Sequence, residues 1–154
     1  MAGRLILDFF TNPLFLAAAS GWLLAQLCKL VIQLVRHAPI DRLLTGGGMP
    51  SSHTATTMAL ALETALVHGT HGFEFPMAFF FMIMVVYDAL NVRYITGEQN
   101  KVLNHFIKER ADKGDEYSRK LPHYKELLGH TLPEVIVGAL IGIAAALIVF
   151  QLPL

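Results

Sequence analysis

Charge and cysteine are both scarce in this sequence. Twelve Lys and Arg residues balance twelve Asp and Glu residues among 154 positions, so the formal net charge is zero. A chain without net positive charge has no general attraction to nucleic acid, and we predict no nucleic-acid partner. The single cysteine, Cys28, cannot close an internal disulfide, which excludes folds held together by such bonds.

Apolar residues fill most of the chain instead. They make up 54% of the sequence, and the mean hydropathy is +0.50. A helix needs about 20 mostly apolar residues to cross a bilayer, and it must satisfy its own backbone groups because no water is present there. The composition therefore predicts an all-α, multi-pass integral membrane protein that forms a single domain over residues 1–154.

The apolar periodicity predicts about four transmembrane helices, over residues 13–36, 51–68, 75–92 and 131–150. The first has a good start, since Asn12 can cap a helix that opens with Pro13. Residues 99–110 carry apolar side chains on one stripe, which predicts a short amphipathic helix on the membrane surface. In the last helix, Gly138 and Gly142 are four residues apart, as in closely packed transmembrane helices. We expect this helix to contact a neighbour, including a second copy or another membrane protein.

Four crossings place the connector 37–51 and the charged stretch 93–129 on the same face of the membrane. The opposite face carries only Arg4, whereas the first face carries ten basic residues: Arg36, Arg42, Arg93, Lys101, Lys108, Arg110, Lys113, Arg119, Lys120 and Lys125. The positive-inside rule predicts that this face is cytoplasmic. Four helix ends meet there.

A run of three glycines, Gly46 to Gly48, precedes the second predicted span, which opens with Ser51, Ser52 and His53. Glycines permit almost any backbone conformation. The start of a helix directs free N–H groups and the positive end of its dipole to one place, which suits a phosphate. Alternatively, Ser51 or Ser52 only caps the helix and the glycines form a turn. The local sequence leaves both interpretations open.

Three cationic side chains, Lys29, Arg36 and Arg93, and the imidazole of His130 are predicted near the same face. A phosphate needs several charge-assisted donors, and arginine offers them as a planar fork. Taken singly, Lys29 can snorkel and each arginine can simply flank its span. Their convergence on the glycine run favours an anion site.

Three short motifs resemble those of the phosphatidic-acid phosphatase type 2 superfamily, which includes the vanadium haloperoxidases. Residues 50–53, Pro-Ser-Ser-His, resemble its Pro-Ser-Gly-His motif. Lys29 and Arg36, with six residues between them, resemble the first motif, although no proline follows the arginine. Gly129-His130 with Glu134 resembles the third motif, with glutamate in place of aspartate.

The whole layout is most similar to the divergent branch of that superfamily, over nearly the whole chain. Tyr87-Asp88 before Arg93 is part of this likeness. The third-motif arginine of the family lies a few residues before its histidine, whereas Arg93 is far upstream of His130. Arg119 is nearer, but its spacing differs as well.

The resemblance implies a phosphatase that uses neither metal nor cofactor and acts on a lipid or isoprenoid phosphate. His130 would attack phosphorus, His53 would protonate the leaving oxygen, and Glu134 would orient His130. The phosphate oxygens would be held by a set of polar and basic residues: Lys29, Arg36, Ser51, Ser52 and Arg93. A neutral imidazole is a competent nucleophile when a carboxylate stabilises the imidazolium that forms.

Two acidic residues have structural alternatives. Thr131 and Glu134 form a capping-box pattern, in which the glutamate binds the first N–H groups of the helix. Glu63 lies inside the second span and is a functional candidate by its position, but it could pair with Lys29 or Asn91.

Three other functions stay open from the sequence. The protein could bind an anionic lipid, or support a membrane complex, without catalysis. It could transport a phosphorylated solute, for which four helices make a thin pathway unless the protein oligomerises. A metal site would have to be built from residues without local ligand spacing: His53, Asp88, His130 and Glu134.

Overall fold

A computed structural model describes residues 2–37, 48–126 and 128–153. Within these ranges the chain forms α1 (Ala2–Phe10), α2 (Pro13–Val35), α3 (Ser52–His68), α4 (Glu74–Tyr87), α5 (Arg93–Asp112), α6 (Glu116–Lys120) and α7 (Leu132–Val149). A π-helical turn, Asp88–Val92, joins α4 to α5. The structure is 79% helical, and its described part contains no strand. The all-α prediction is confirmed.

Three helical stretches are long and apolar enough to cross a membrane: Pro13–Val35, Glu74–Asp112 and Leu132–Val149. The first begins as predicted, because the Asn12 side chain accepts hydrogen bonds from the N–H groups of Leu14 and Phe15. The second predicted span forms α3, whose 17 residues are fewer than the roughly 20 of a full crossing.

Small side chains form the interior and large apolar ones the exterior. Every buried hydrophobic residue in the described ranges is an alanine or a valine. By contrast, Trp22, Phe80 and Leu140 each expose half or more of their surface. In water such a surface would aggregate, whereas in lipid it is solvated and small residues let helices approach closely. The distribution is that of a bundle surrounded by hydrocarbon.

α3 lies at the centre of the bundle and packs against α2, α4 and α7. Glycines of two neighbours face its backbone. A Cβ at Gly21 would lie 2.8 Å from the carbonyl oxygen of Ala55, and one at Gly142 would overlap with the same oxygen. Gly138 meets the backbone of Ser51 in the same way. The predicted close contact of the last helix is therefore made within the chain, and its glycine face is occupied by α3.

The third predicted helix does not end near residue 92, and no separate surface helix covers 99–110. Instead α4, the π-helical turn and α5 run continuously from Glu74 to Asp112. The stretch 88–98 contains no proline, and its one glycine, Gly97, is tolerated inside a helix. The onset of charge at Arg93 marks where the helix becomes polar, not where it stops.

After α6 the chain returns along α5 through residues 121–131, which we call the return segment. Its residue 127 lies outside the described residues. The buried side chain of Asn104 donates to the Tyr124 carbonyl at 2.8 Å and accepts from the Tyr124 N–H at 3.0 Å. Asn100 donates to the Lys125 carbonyl at 2.7 Å. These bonds fix the backbone that leads to His130.

Candidate functional site

The start of α3 is tied to the start of α7. Ser51 is fully buried and caps α3, since its Oγ accepts from the N–H and the hydroxyl of Thr54 at 3.3 and 3.0 Å. Its own N–H donates to the Glu134 carbonyl at 3.0 Å. The capping interpretation of Ser51 is therefore confirmed. Gly46 and Gly47 lie outside the described residues, whereas Gly48 has a φ of +90°, which favours glycine.

Ser52 and His53 occupy the first turn of α3, and Ser52 is buried. N–H groups of a first helical turn have no acceptor inside the helix. The Thr54 N–H is satisfied by Ser51. The N–H groups of Ser52 and His53 are therefore those that the turn can offer to an anion.

His130 is held by the π-helical turn. Its backbone N–H donates to the Ala89 carbonyl at 2.9 Å. The preceding Gly129 has a φ of +76°, and a Cβ there would lie 2.8 Å from the same carbonyl oxygen. No larger residue fits this close approach, so Gly129 and the π-helical turn together set the position of His130. Such turns are frequent at functional sites.

One carboxylate oxygen of Glu134 serves both His130 and the helix start. The Oε2 atom lies 3.0 Å from His130 Nδ1 and accepts from the Thr131 N–H at 3.1 Å. The capping and orienting roles, which the sequence presented as alternatives, thus coexist. The bond assigns the His130 proton to Nδ1 and leaves a lone pair on Nε2. That Nε2 is buried and has no hydrogen-bond partner among the described residues.

Burial lowers the pKa of His130, and it is the largest influence on this ring. The hydrogen bond that His130 donates to Glu134 acts in the opposite direction, whereas the positive charges of Lys29 and Arg93 lower the pKa further. The net direction is downward from the usual value of about 6.5. The lowered pKa favours the neutral form of His130 at physiological pH.

The rings of His53 and His130 lie edge to face, with centroids 6.0 Å apart and planes inclined by 61°. Two groups that each bind a phosphate from about 3 Å are separated by roughly this distance. The structure thus brings together two histidines that are 77 residues apart in the sequence (130 − 53).

Two cations lie near this pair. Lys29 is buried, and it interacts electrostatically with both rings and with Glu134. Arg93 acts on both rings as well, but its guanidinium pairs with Asp88 and is about half exposed. Arg36, at the end of α2, is exposed and lies about two turns from Lys29.

A cavity of about 520 Å³ opens between α2, α5 and the return segment. Its wall includes four of the predicted site residues: Lys29, Arg36, His130 and Glu134. Residues 51–53 and Arg93 do not line it. The predicted site residues therefore fall into two groups. One group lines the cavity, whereas His53 and Arg93 lie near His130 but outside the cavity wall.

Comparison with known proteins gives a family. The model of the divergent PAP2 family matches residues 10–145. The chain belongs to the divergent PAP2 family. YuiD, an uncharacterized membrane protein of Bacillus subtilis (strain 168), is 36% identical over 153 residues, which cover 92% of this chain and 96% of the relative. No solved structure matches.

The match confirms the resemblance that the three motifs indicated. With the YuiD likeness and the three apolar helices, it establishes a membrane protein of a phosphatase-related family. Within the described part of this divergent PAP2 protein, no three His, Cys, Asp or Glu side chains are grouped so as to hold a metal ion.

Glu63 of this divergent PAP2 protein differs from expectation. It is fully buried, and neither carboxylate oxygen has a hydrogen-bond partner among the described residues. Asn91 instead donates to the Tyr87 carbonyl of its own helix at 3.2 Å. The alternative in which Glu63 pairs with Lys29 or Asn91 is therefore not formed by a hydrogen bond.

Sequence reasoning missed the residues that position His130 rather than those at the reacting centre. They are Ala89 and Asn104, whereas Gly129 was named only as part of the third motif and not for its close approach to the Ala89 carbonyl. The π-helical turn has no motif of its own. In the sequence, Asn104 is one more polar residue of a charged helix. Its role becomes visible only in its hydrogen bonds to the return segment.

Proposed function

We propose that this protein is a membrane phosphatase that hydrolyses a lipid or isoprenoid phosphate through a histidine nucleophile. The observation that carries the proposal is the buried Nε2 of His130, which has no partner among the described residues. Glu134 orients this ring at 3.0 Å, and the His53 ring lies edge to face with it.

In the first step, His130 Nε2 attacks phosphorus and the ester P–O bond breaks. The leaving oxygen takes a proton from His53. The carboxylate of Glu134 stabilises the positive charge that develops on His130 through its bond to Nδ1. In the second step, His53 accepts a proton from water, whose oxygen attacks phosphorus. The N–P bond breaks, and inorganic phosphate and neutral His130 are released.

The phosphate oxygens in this mechanism are held by five residues: Lys29, Arg36, Ser51, Ser52 and Arg93. Lys29 and Arg93 supply charge beside the two rings. The first turn of α3 supplies N–H groups, to which the positive end of the helix dipole adds. Ser51 retains its own O–H as a donor, because its Oγ accepts from Thr54.

The membrane topology is also part of the proposal. α3 adds a fourth crossing to the three long apolar helices, and it is short because it lies inside the bundle. Residues 1–154 form one integral membrane domain. The face with the histidines is cytoplasmic. The head group enters the cavity from that face, while the lipid chain lies against the apolar exterior of the helices.

The test is phosphate release from phosphatidate and from an isoprenoid monophosphate by the purified protein. His130→Ala and His53→Ala should each lower the rate by about 10²-fold or more. His71→Ala is the matched control, since His71 is exposed on the α3–α4 connection and no interaction with the site is seen. An unchanged rate in His130→Ala would remove the mechanism.

One observation favours a second candidate function, in which the protein binds an anionic lipid or supports a membrane complex without catalysis. The Arg93 guanidinium, a predicted phosphate ligand, already pairs with Asp88. Saturable binding of a phospholipid with no phosphate release would establish this function. Cross-linking in native membranes would then show whether its partner is a second copy.

A further inference from the structure

We propose that Gln33 is a specificity-determining residue that selects lipid phosphates with a free hydroxyl beside the phosphate ester. The inference rests on the proposed function and names the head-group chemistry that the cavity takes.

Four polar side chains form one stripe along α2. Gln26, Lys29, Gln33 and Arg36 follow each other at intervals of three, four and three residues, which places them on a single face of the helix. Lys29, Gln33 and Arg36 all line the cavity, whereas Gln26 does not. Gln33 is therefore the one uncharged member of the stripe in contact with the space that the head group occupies.

The Gln33 side chain contains a polar atom that is not hydrogen-bonded to the described residues. Its Oε1 is shielded from solvent and has no hydrogen-bond partner among the described residues. Polar atoms in such places normally have partners. The terminal torsion of glutamine is soft, so the amide can turn to a donor in the cavity at little cost. A ligand that supplies this donor gains a bond that the empty site lacks.

The required ligand group follows from hydrogen-bond chemistry. The amide Nε2 of Gln33 can donate to a phosphate oxygen, but the shielded Oε1 only accepts, as do the oxygens of a phosphate dianion, so Oε1 and the phosphate repel each other. The phosphate is bound by the cations on either side, Lys29 and Arg36. The amide oxygen between them needs a hydroxyl of the same head group, one helical turn from each cation.

This chemistry divides the lipid phosphates into two classes. Phosphatidate and isoprenoid monophosphates offer no hydroxyl beside the ester, whereas a monoester of a partly acylated polyol does. Binding the second class satisfies Gln33, and binding the first class leaves its oxygen buried and unpaired. A site built to bind a hydroxyl rejects the analogue without it more strongly than an apolar pocket rejects an added hydroxyl.

The experiment uses a matched pair of substrates, a 1-acylglycerol 3-phosphate and its 2-deoxy analogue with the same acyl chain. The purified wild-type protein should hydrolyse the hydroxylated substrate with a kcat/KM about 10- to 100-fold higher. Gln33→Leu should lose this preference by slowing the hydroxylated substrate while leaving the deoxy rate within about twofold. The deoxy rate therefore also reports that the variant is folded.

Gln26→Leu is the control, because Gln26 lies on the same stripe and has a buried, unpartnered Oε1, but does not line the cavity. It should keep the wild-type preference. A wild-type protein without preference, or a preference retained in Gln33→Leu, would overturn the role of Gln33.

The experiment distinguishes failure of the proposed phosphatase function from failure of the proposed role of Gln33. If the wild type releases phosphate from neither substrate, catalysis fails, and binding of the two corresponding phosphonates is measured instead. A hydroxyl-dependent affinity that disappears in Gln33→Leu supports the selection by Gln33 without turnover. Equal affinities for both phosphonates overturn it.

Discussion

In the proposed mechanism, Glu134 combines a structural and a chemical task in a single carboxylate oxygen. Its Oε2 binds both the Thr131 N–H and His130 Nδ1. Two substitutions separate these tasks, because glutamine at this position still completes a capping box, whereas alanine does not.

We expect Glu134→Gln to retain most of the stability and to lose most of the activity. Without the carboxylate, the imidazolium that develops on His130 is no longer stabilised, so kcat should fall by about 10²–10⁴-fold. Glu134→Ala should lose activity and, in addition, about 1 kcal/mol of stability. Phosphate release and helical circular dichroism on heating measure the two effects. Equal stability of the two variants would contradict the capping role.

The pH dependence of kcat/KM tests the environment of His130. The reactive form is neutral, and burial lowers the pKa of this ring. The neutral fraction therefore stays high as pH falls through about 6.5, the ordinary histidine value, and drops only at the lowered pKa. The acid limb of the profile should lie below pH ~6.5 in the wild type.

In Glu134→Gln the acid limb should move to still lower pH, since the carboxylate charge that raises the His130 pKa is lost. An acid limb above pH ~6.5 in the wild type would contradict the assignment of His130 as the buried, neutral nucleophile.

Helix starts were predictable because each is encoded in a few adjacent residues. Asn12-Pro13 and Thr131 to Glu134 specify two starts locally, and the structure has both. The continuation of α4 through Asp88–Val92 was not predictable, because an extra residue in a helical turn leaves no sequence mark. Nor was the return segment, whose bonds to Asn104 join residues 20 positions apart.

The continuous helix from Glu74 to Asp112 has 39 residues and is therefore about 58 Å long. This is nearly twice the hydrocarbon thickness of about 30 Å. Its polar half therefore extends beyond the bilayer and carries the return segment there. The His130 N–H donates to the Ala89 carbonyl, which lies at the junction of the two halves.

Release of the return segment should disturb His130 from a distance. Asn104→Ala removes bonds to Tyr124 and Glu126 from a buried site, which should cost about 2 kcal/mol and lower kcat several-fold. Trypsin should then cut after Lys125 faster than in the wild type. Asn100→Ala, which loses the single bond to the Lys125 carbonyl, is the milder control. Equal cleavage rates in Asn104→Ala and wild type would contradict the anchoring role.

The contact between α3 and α7 depends on the absence of side chains. A Cβ at Gly142 would overlap with the Ala55 carbonyl oxygen, so Gly142→Ala should destabilise the bundle by about 1–3 kcal/mol. Gly3→Ala is the control, because nothing lies within 4 Å of its added Cβ. The unfolding midpoint in detergent measures both. An unchanged midpoint in Gly142→Ala would show that the two helices separate easily.

At the scale of the whole molecule, composition was enough to predict an α-helical membrane bundle, because its apolar exterior requires lipid. The location of Lys29, His53 and His130 at one membrane face could be predicted from the four-span topology, whereas the pairing of the two histidines could be predicted only through the motifs that they resemble. The sequence does not show that His53 lies outside the wall of the cavity, because this depends on how α3 is rotated within the bundle.

The proposed topology is testable with single cysteines in a Cys28→Ala background. His37→Cys, just beyond the end of α2, should react with an impermeant maleimide from the cytoplasmic side. His71→Cys, between α3 and α4, should react only from the opposite side. Both positions are exposed. Labelling of the two cysteines from the same side would exclude α3 as a crossing.

The shared oxygen of Glu134 affects how relatives of this protein should be interpreted. A relative without catalytic activity still gains from a glutamate or glutamine at this position, because either one completes the capping box of the last helix. A glutamate there is therefore no sign of an active enzyme. We find no hydrogen bond from the His53 imidazole to the described residues, so folding gives little reason to keep it. Under the proposed mechanism, the histidine at position 53 is therefore the residue that distinguishes family members with phosphatase activity from those without it.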